Sequence, residues 1–322
     1  MKSLAIISSP LQLLSLGEFI FQGNIKNYFL IILYKNKQEL DQIKSMCNFY
    51  NVKISSIIKG RKLFQYLSLR LIINKLKNVN QIILGNFFSD PHIFILNNFK
   101  TDDIVVLDDG MVVHRIPNYI NSKKKILTQS RLRNLIFSFF NIKVQPPSKI
   151  RLFTIFSIKS NRYIKVKRNE LSYLYSKLGN IQSSQKIILI GQPFVELNTL
   201  SRDNYLLNIK KIVQLNDLNV IYYPSRKEDR KNLKLINQID GIEVINPTLS
   251  IELYLIKNSF LPKKIIGFTS SALVTLKIMF YKKINIESYK INFNQTRYDG
   301  NFYESIYENF KKYGIKYKSL NI

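Results

Sequence analysis

Two adjacent carboxylates, Asp108 and Asp109, stand where an apolar run ends and Gly110 follows. A like-charged neighbour raises the proton affinity of a carboxylate, which suits a general base acting on a hydroxyl. Asp-Asp-Gly is also a favoured solvated turn, so the residue types alone leave both readings open. A second segment, Tyr222-Tyr223-Pro224-Ser225-Arg226-Lys227-Glu228, closes another expected strand and leads into an expected helix. Two cations at a helix N-terminus would hold a phosphate; the other reading is a Pro-Ser helix start with solvated charges. In a third, Gly267-Phe268-Thr269-Ser270-Ser271, three hydroxyls stand where one would suffice as a cap. The surplus favours a phosphate there. Weaker signals are Gly191-Gln192-Pro193, Ser8-Ser9-Pro10-Leu11-Gln12 and Gly85-Asn86. Each reads as the end of a strand, where open α/β sheets place ligands, or as an ordinary strand-to-helix turn.

Other chemistries are poorly supplied. One cysteine, Cys47, excludes a disulfide framework and a multi-cysteine metal site. With His92 and His114 as the only histidines, metal catalysis would have to rest on carboxylates. No GxGxxG, Walker lysine loop, GxSxG elbow or DxD metal motif is present, so hydride transfer and nucleotide hydrolysis lose ground. Neither a bound metal nor a cofactor is expected.

The elements that must position these residues alternate. Expected strands at 4–8, 28–34, 52–58, 81–84 and 104–107 are separated by helical stretches at 11–21, 38–49, 62–77 and 92–98. Such alternation implies parallel pairing with right-handed crossovers. A texture rich in Lys, Arg, Ser and aromatics runs from about 118 to 180, with helical excursions, Pro146-Pro147 and a strand-like stretch at 152–158. The alternation restarts with strands at 186–190, 220–223, 242–245, 264–267 and 284–287, and helices at 205–214, 227–238, 251–258, 271–281 and 303–313. The expected fold is therefore α/β, with two Rossmann-like doubly wound domains facing a cleft, the GT-B-like arrangement. Residues 1–182 form the N-terminal domain with its helical insertion, and residues 183–322 the C-terminal one. The Tyr- and Lys-rich tail after Asn301 is expected to pack back across the first domain.

The 49 Lys and Arg against 21 Asp and Glu give a net charge of +28. A field of this sign draws a protein to anionic surfaces, although drift towards Lys, Ile and Asn would also produce it. The longest cationic run is Lys123, Lys124 and Lys125, too short for a nucleic-acid tail and consistent with a solvated loop. The apolar N-terminal run breaks at Ser8-Ser9-Pro10, and no stretch of ~20 apolar residues follows. A cytoplasmic protein is expected, at most peripheral on the inner face of an anionic membrane and without a nucleic-acid partner.

In this order, the segments resemble those of the bacterial sialyltransferases acting on lipooligosaccharide and the related capsular polysialyltransferases. The likeness rests on Ser9-Pro10-Leu11-Gln12, Asp108-Asp109-Gly110, Gly191-Gln192-Pro193, Pro224-Ser225-Arg226-Lys227-Glu228 and Ser270-Ser271, and runs to about Leu273. One departure stands out: Ser225 replaces the histidine of that family's Pro-His element. The resemblance implies an inverting, metal-independent transfer of a sialic-acid-type nonulosonate from its CMP ester to a glycan or glycolipid acceptor. It makes Asp109 the base, with Asp108 as alternative. CMP would be held by Gly191, Gln192, Pro224, Ser225, Arg226, Ser270 and Ser271, with Glu252 on the ribose or exposed on its helix. Pro10, Gln12 and Asn86 would lie on the acceptor side. The competing expectations are a transferase using a UDP- or GDP-sugar or a CDP-alcohol, and a non-catalytic basic protein that binds polyanions through stretches such as 303–317.

Overall fold

The computed structural model describes residues 2–60, 62–121, 131–142, 144–145, 147–179, 182–216, 219–280, 283–291 and 300–320. Lys123, Lys124, Lys125 and Pro146 lie outside the described residues. The chain divides into two compact units, Met1–Leu174 and Tyr175–Ile322.

The first unit runs β1 (Lys2–Ile7), α1 (Pro10–Gly23), β2 (Tyr28–Tyr34), α2 (Lys37–Tyr50), β3 (Ser56–Lys59), α3 (Lys62–Lys75), β4 (Val79–Leu84), α4 (Asp90–Leu96) and β5 (Ile104–Val106). A short 3-10 turn (Val112–Arg115), α5 (Ile116–Asn121) and α6 (Arg131–Phe139) lead to β6 (Ile150–Thr154) and β7 (Ile164–Arg168). All pairings in this sheet are parallel, in the order β3-β2-β1-β4-β5-β6-β7. The central strands are apolar because both faces are covered: Leu4 to Ile7, Ile82 to Leu84 and Val105 to Val106 are buried. The strand order reverses between β1 and β4, which leaves a crevice at their carboxyl ends.

The second unit repeats the plan. It runs β8 (Gln182–Ile190), α8 (Arg202–Gln214), β9 (Val220–Tyr223), α9 (Arg230–Ile236), β10 (Ile242–Val244), α10 (Ile251–Lys257), β11 (Phe260–Gly267), α11 (Ser271–Phe280), β12 (Asn285–Lys290), α12 (Gly300–Lys312) and β13 (Lys316–Ser319). The order is β10-β9-β8-β11-β12-β13, again all parallel, with its reversal between β8 and β11.

A short helix, α7 (Ser172–Ser176), spans the division between the units. Its first turn is tied to the first unit by buried Glu18, whose carboxylate accepts from the Tyr173 N–H (3.0 Å), the Leu174 N–H (2.9 Å) and the Tyr50 hydroxyl (2.9 Å). From Tyr175 the chain belongs to the second unit, its hydroxyl donating to the Ile278 carbonyl. The tail after Asn301 completes the second sheet: β13 pairs with β12, and Tyr307 on α12 accepts from the Ile291 N–H (3.1 Å).

Candidate active site

Every segment singled out by residue type lies at the carboxyl end of a strand, or on the loop that leaves it. In the first unit three such ends converge on Asp109. Ser9 caps α1 by accepting from the Gln12 N–H (3.3 Å), and Pro10 occupies the first helical position, where its missing N–H costs nothing. That start aims the Gln12 side chain back across the strand ends. Its Oε1 accepts from the Ser8 N–H (2.6 Å), which fixes the amide orientation, and its Nε2 donates to Asp109 Oδ1 (2.7 Å). From the end of β4, Asn86 Nδ2 donates to Asp109 Oδ2, while Asn86 Oδ1 accepts from the Phe88 N–H (2.8 Å). Both carboxylate oxygens therefore face side-chain amides whose own carbonyls are anchored. An ionised carboxylate accepts at two oxygens and donates nothing, so these contacts orient it as an acceptor.

Gly85 makes this packing possible. A Cβ at that position would fall on the Gln12 side-chain amide. Behind Asn86, the buried imidazole of His92 accepts from the Asn86 N–H through Nδ1 (3.1 Å). Burial lowers His92 to about 3, so the ring is neutral and carries its proton on Nε2. Past Asp109, Gly110 turns the chain at φ 69°, a left-handed conformation in which a side chain would be strained.

Asp108 points elsewhere. Its side chain is buried, accepts from the Thr154 hydroxyl and the Ile155 N–H (2.8 Å), and thereby joins β5 to β6. Burial pushes its carboxyl up to about 7, against those two hydrogen bonds and the charge of Arg168. The pair thus splits into a buried bracing group and a half-buried, oriented carboxylate. Nothing in the sequence marks Thr154 as the brace.

In the second unit, Gln192 bridges the reversal between β8 and β11. Its Oε1 accepts from the Thr269 N–H (2.6 Å) and its Nε2 donates to the Thr269 hydroxyl (3.0 Å). Of the three hydroxyls before α11, Thr269 is therefore engaged by Gln192. Ser270 acts as a cap, its Oγ accepting from the Ala272 N–H (3.3 Å). The Ser271 hydroxyl has no hydrogen-bond partner among the described residues and stands at the first position of the helix. A ligand phosphate would meet it there.

The loop after β9 rests on a cluster the residue types did not announce. The Tyr205 and Tyr222 hydroxyls lie 2.8 Å apart, Tyr222 donates to Glu228 Oε1, and the Ser225 N–H donates to Glu228 Oε2 (2.5 Å). The Gln192 N–H donates to the Tyr205 hydroxyl (3.0 Å), so one buried network supports both loops. A Cβ on Gly191 would collide with Tyr222 and Glu228, and only glycine fits. Burial raises Glu228 to about 8, although Tyr222 and the Ser225 N–H favour its ionised form. Within the quoted segment Tyr222 and Glu228 were the available signals; Tyr205 read as an ordinary helix residue.

Two expectations are corrected here. Ser225, Arg226 and Lys227 do not stand at a helix start, because α9 begins at Arg230. Asp229 caps it, accepting from the Asn232 N–H (2.7 Å), so that helix brings its own anion. Nor is Glu252 exposed: it is buried in the first turn of α10. Burial raises its carboxyl, and the Arg226 charge opposes the shift, which places the two within electrostatic reach. The Tyr223 hydroxyl, donating to the Leu249 carbonyl (2.6 Å), brings the start of α10 to the end of β9. Pro224 is buried beneath the same loop. Among the described residues no three His, Cys, Asp or Glu side chains are grouped to hold a metal ion.

A family model described as alpha-2,8-polysialyltransferase matches residues 3–289. No curated protein matches the chain. Among solved structures, the Methanocaldococcus jannaschii UDP-GlcNAc 2-epimerase in complex with UDP-GlcNAc and UDP is similar at 11% identity and a TM-score of 0.59, over 99% of this chain and 89% of that one. The Neisseria meningitidis UDP-GlcNAc 2-epimerase bound to UDP-GlcNAc is 10% identical with a TM-score of 0.55, over 89% of this chain and 82% of that one. The S. aureus MnaA–UDP structure, also at 10% and 0.55, covers 89% of this chain and 79% of its own. At such identities the likeness is one of fold: two Rossmann-like units of the GT-B kind.

Proposed function

We propose, since this chain belongs to the alpha-2,8-polysialyltransferase family and is therefore a glycosyltransferase, that it moves a sialic-acid-type nonulosonate from its CMP ester to a hydroxyl of a glycan or glycolipid acceptor. The observation that carries this reading is the Asp109 carboxylate, gripped on both oxygens by Gln12 and Asn86 at the carboxyl end of β5. A group held so firmly is suited to taking a proton from a hydroxyl presented in one direction.

In the proposed reaction the acceptor oxygen forms a bond to the anomeric carbon as the bond from that carbon to the CMP phosphate breaks. The acceptor proton passes to Asp109 and the electron pair leaves with the phosphate. Attack opposite the leaving group inverts the anomeric centre. CMP departs as a phosphate monoester, whose second ionisation lies near pH ~6, so near neutrality it needs a cation and hydrogen bonds more than a proton. Arg226, the Ser225 hydroxyl and the Ser271 helix start offer these. Ser225 in the histidine's place thus fits a leaving group stabilised by charge. In this reading the charge on the departing phosphate is met by Arg226 and the Ser271 helix start, and the transfer is metal-independent. Gly191 and Gln192 would abut the nucleotide, and Glu252 would accept from ribose hydroxyls beside Arg226.

A thermal-shift panel tests the donor. CMP alone is expected to raise the melting temperature, by about 2.7 kcal/mol of stabilisation at a hundredfold excess over its Kd, with turnover unchanged in EDTA. Stabilisation by UDP or GDP and not CMP would overturn the CMP donor. Loss of turnover in EDTA, restored by magnesium or manganese, would overturn metal independence.

Gly85→Ala tests the orientation of the base. The new Cβ must displace Gln12 from Asp109, and a misplacement of about 1 Å at a reacting group can cost ~100-fold in rate. The expected result is a large fall in kcat with CMP affinity retained. Unchanged kcat would mean that Gln12 does not position Asp109.

A further inference from the structure

We propose that the outward faces of α3 and α6 form a docking surface for an anionic lipid bilayer. These helices pack together around α4. The Tyr66 ring on α3 lies 5.9 Å from Phe137 on α6, and Phe94 on α4 lies 5.1 Å from Tyr66 and 5.7 Å from Phe137. With those rings turned inward, each helix still presents large apolar side chains to solvent. On α3 they are Phe64, Leu67 and Leu71, at 60%, 46% and 64% exposure; on α6 they are Leu135 and Phe139, at 69% and 79%. The spacings i, i+3, i+7 and i, i+4 put each set on one helix face. Isolated exposed leucines need no explanation, but a patch built from two adjacent helices does.

Charge identifies the occupant. The sequence between Asp41 and Asp90, which contains α3, carries eight Lys and Arg and no acid. That between Asp109 and Glu170, which contains α6, carries fourteen and no acid. Drift in composition multiplies lysine along the whole chain, whereas here the acids are missing from the two segments that bear the apolar faces. Lys59, Lys75 and Lys77 flank the α3 face and are exposed. Such a surface repels a second copy of itself at close range. A soluble polyanion would neutralise the cations but leave Phe64 and Phe139 in water. An anionic bilayer satisfies both, since apolar side chains enter the headgroup boundary while Lys and Arg pair with the lipid phosphates.

Flotation of the whole protein with two kinds of vesicle tests this: phosphatidylcholine alone, and phosphatidylcholine with about one-third phosphatidylglycerol. The expected result is binding to the second kind at least tenfold stronger than to the first. The triple variant Phe64→Ser, Leu71→Ser, Phe139→Ser is expected to lose at least tenfold in vesicle binding at unchanged net charge, and to keep its thermal stability because these side chains are solvated already. Equal binding of the variant and the parent would overturn the surface and leave only a diffuse charge effect. No preference for the anionic vesicles would overturn the lipid as occupant. A parent protein that is dimeric in solution, with a monomeric variant, would assign the face to a second copy instead.

Discussion

Asp109→Asn is expected to lower the transfer rate by ~100-fold or more while CMP affinity stays within about twofold. The substitution removes the base, and it also disturbs the grip on it. Gln12 Nε2 and Asn86 Nδ2 both donate to the carboxylate, so an amide at 109 turns its own NH2 towards one of them. Neither neighbour can simply flip, since Gln12 Oε1 is held by the Ser8 N–H and Asn86 Oδ1 by the Phe88 N–H. Asp109→Glu separates the two effects, keeping an acceptor-only group that is displaced by one methylene. Kinetics and CMP titration on both variants decide the matter. Wild-type rates in Asp109→Asn would remove Asp109 from the reaction. Asp108→Asn is expected to act on stability instead, because the Asp108 carboxylate accepts from Thr154 and Ile155 in the interior between β5 and β6.

Much of this arrangement was legible in the sequence, and what was missed has physical reasons. Central strands announced themselves because both faces are buried: β2 and β9 lie at the expected 28–34 and 220–223. Of the edge strands, β3 and β10 overlap the expected 52–58 and 242–245, whereas β7 and β13 were not expected. In β7, Lys165, Lys167 and Arg168 are exposed beside buried Ile164, and β13 is mostly solvated, so neither reads as an apolar run. β11 begins at Phe260, four residues before the expected start, with Pro262 inside it. A proline argues against a strand interior, but the register shift between Pro262 and Lys264 absorbs it. The helix expected from 227 begins at Arg230 because Asp229 is the better cap and because residues 225 to 228 close a turn, Glu228 N–H donating to the Ser225 carbonyl (3.1 Å). At the site, strand-end position was readable from where each apolar run stopped. The division of labour between Asp108 and Asp109 was not, since it depends on Thr154 arriving from a strand 46 residues away.

Glu228→Ala is expected to be the most destabilising single change at the second strand-end cluster. The carboxylate accepts from the Ser225 N–H and from Tyr222, whose hydroxyl also meets Tyr205. Truncation leaves two largely buried donors unsatisfied at ~1–3 kcal/mol each, a loss of roughly 2–6 kcal/mol. The Ser225–Arg226 loop should loosen with it, so CMP affinity is expected to fall as well. Glu228→Gln behaves differently. Its carbonyl can take the Ser225 N–H, and its NH2 can donate to the Tyr222 hydroxyl, which rotates to accept. The network survives without a titrating group. In the parent, the Glu228 carboxyl is raised to about 8 from its ordinary 4.5. The folded state therefore keeps a proton that the unfolded chain releases, and stability must fall as pH rises from about 4.5 to about 8 and level off above that. Asp108, raised to about 7, adds a slope of the same sign from about 3.8 upwards. Melting curves across this range should show a shallower decline in Glu228→Gln than in the parent, with the Asp108 share remaining. Identical slopes in the two proteins would show that Glu228 is already ionised in the fold, and that the Ser225 loop is held by a charged acceptor.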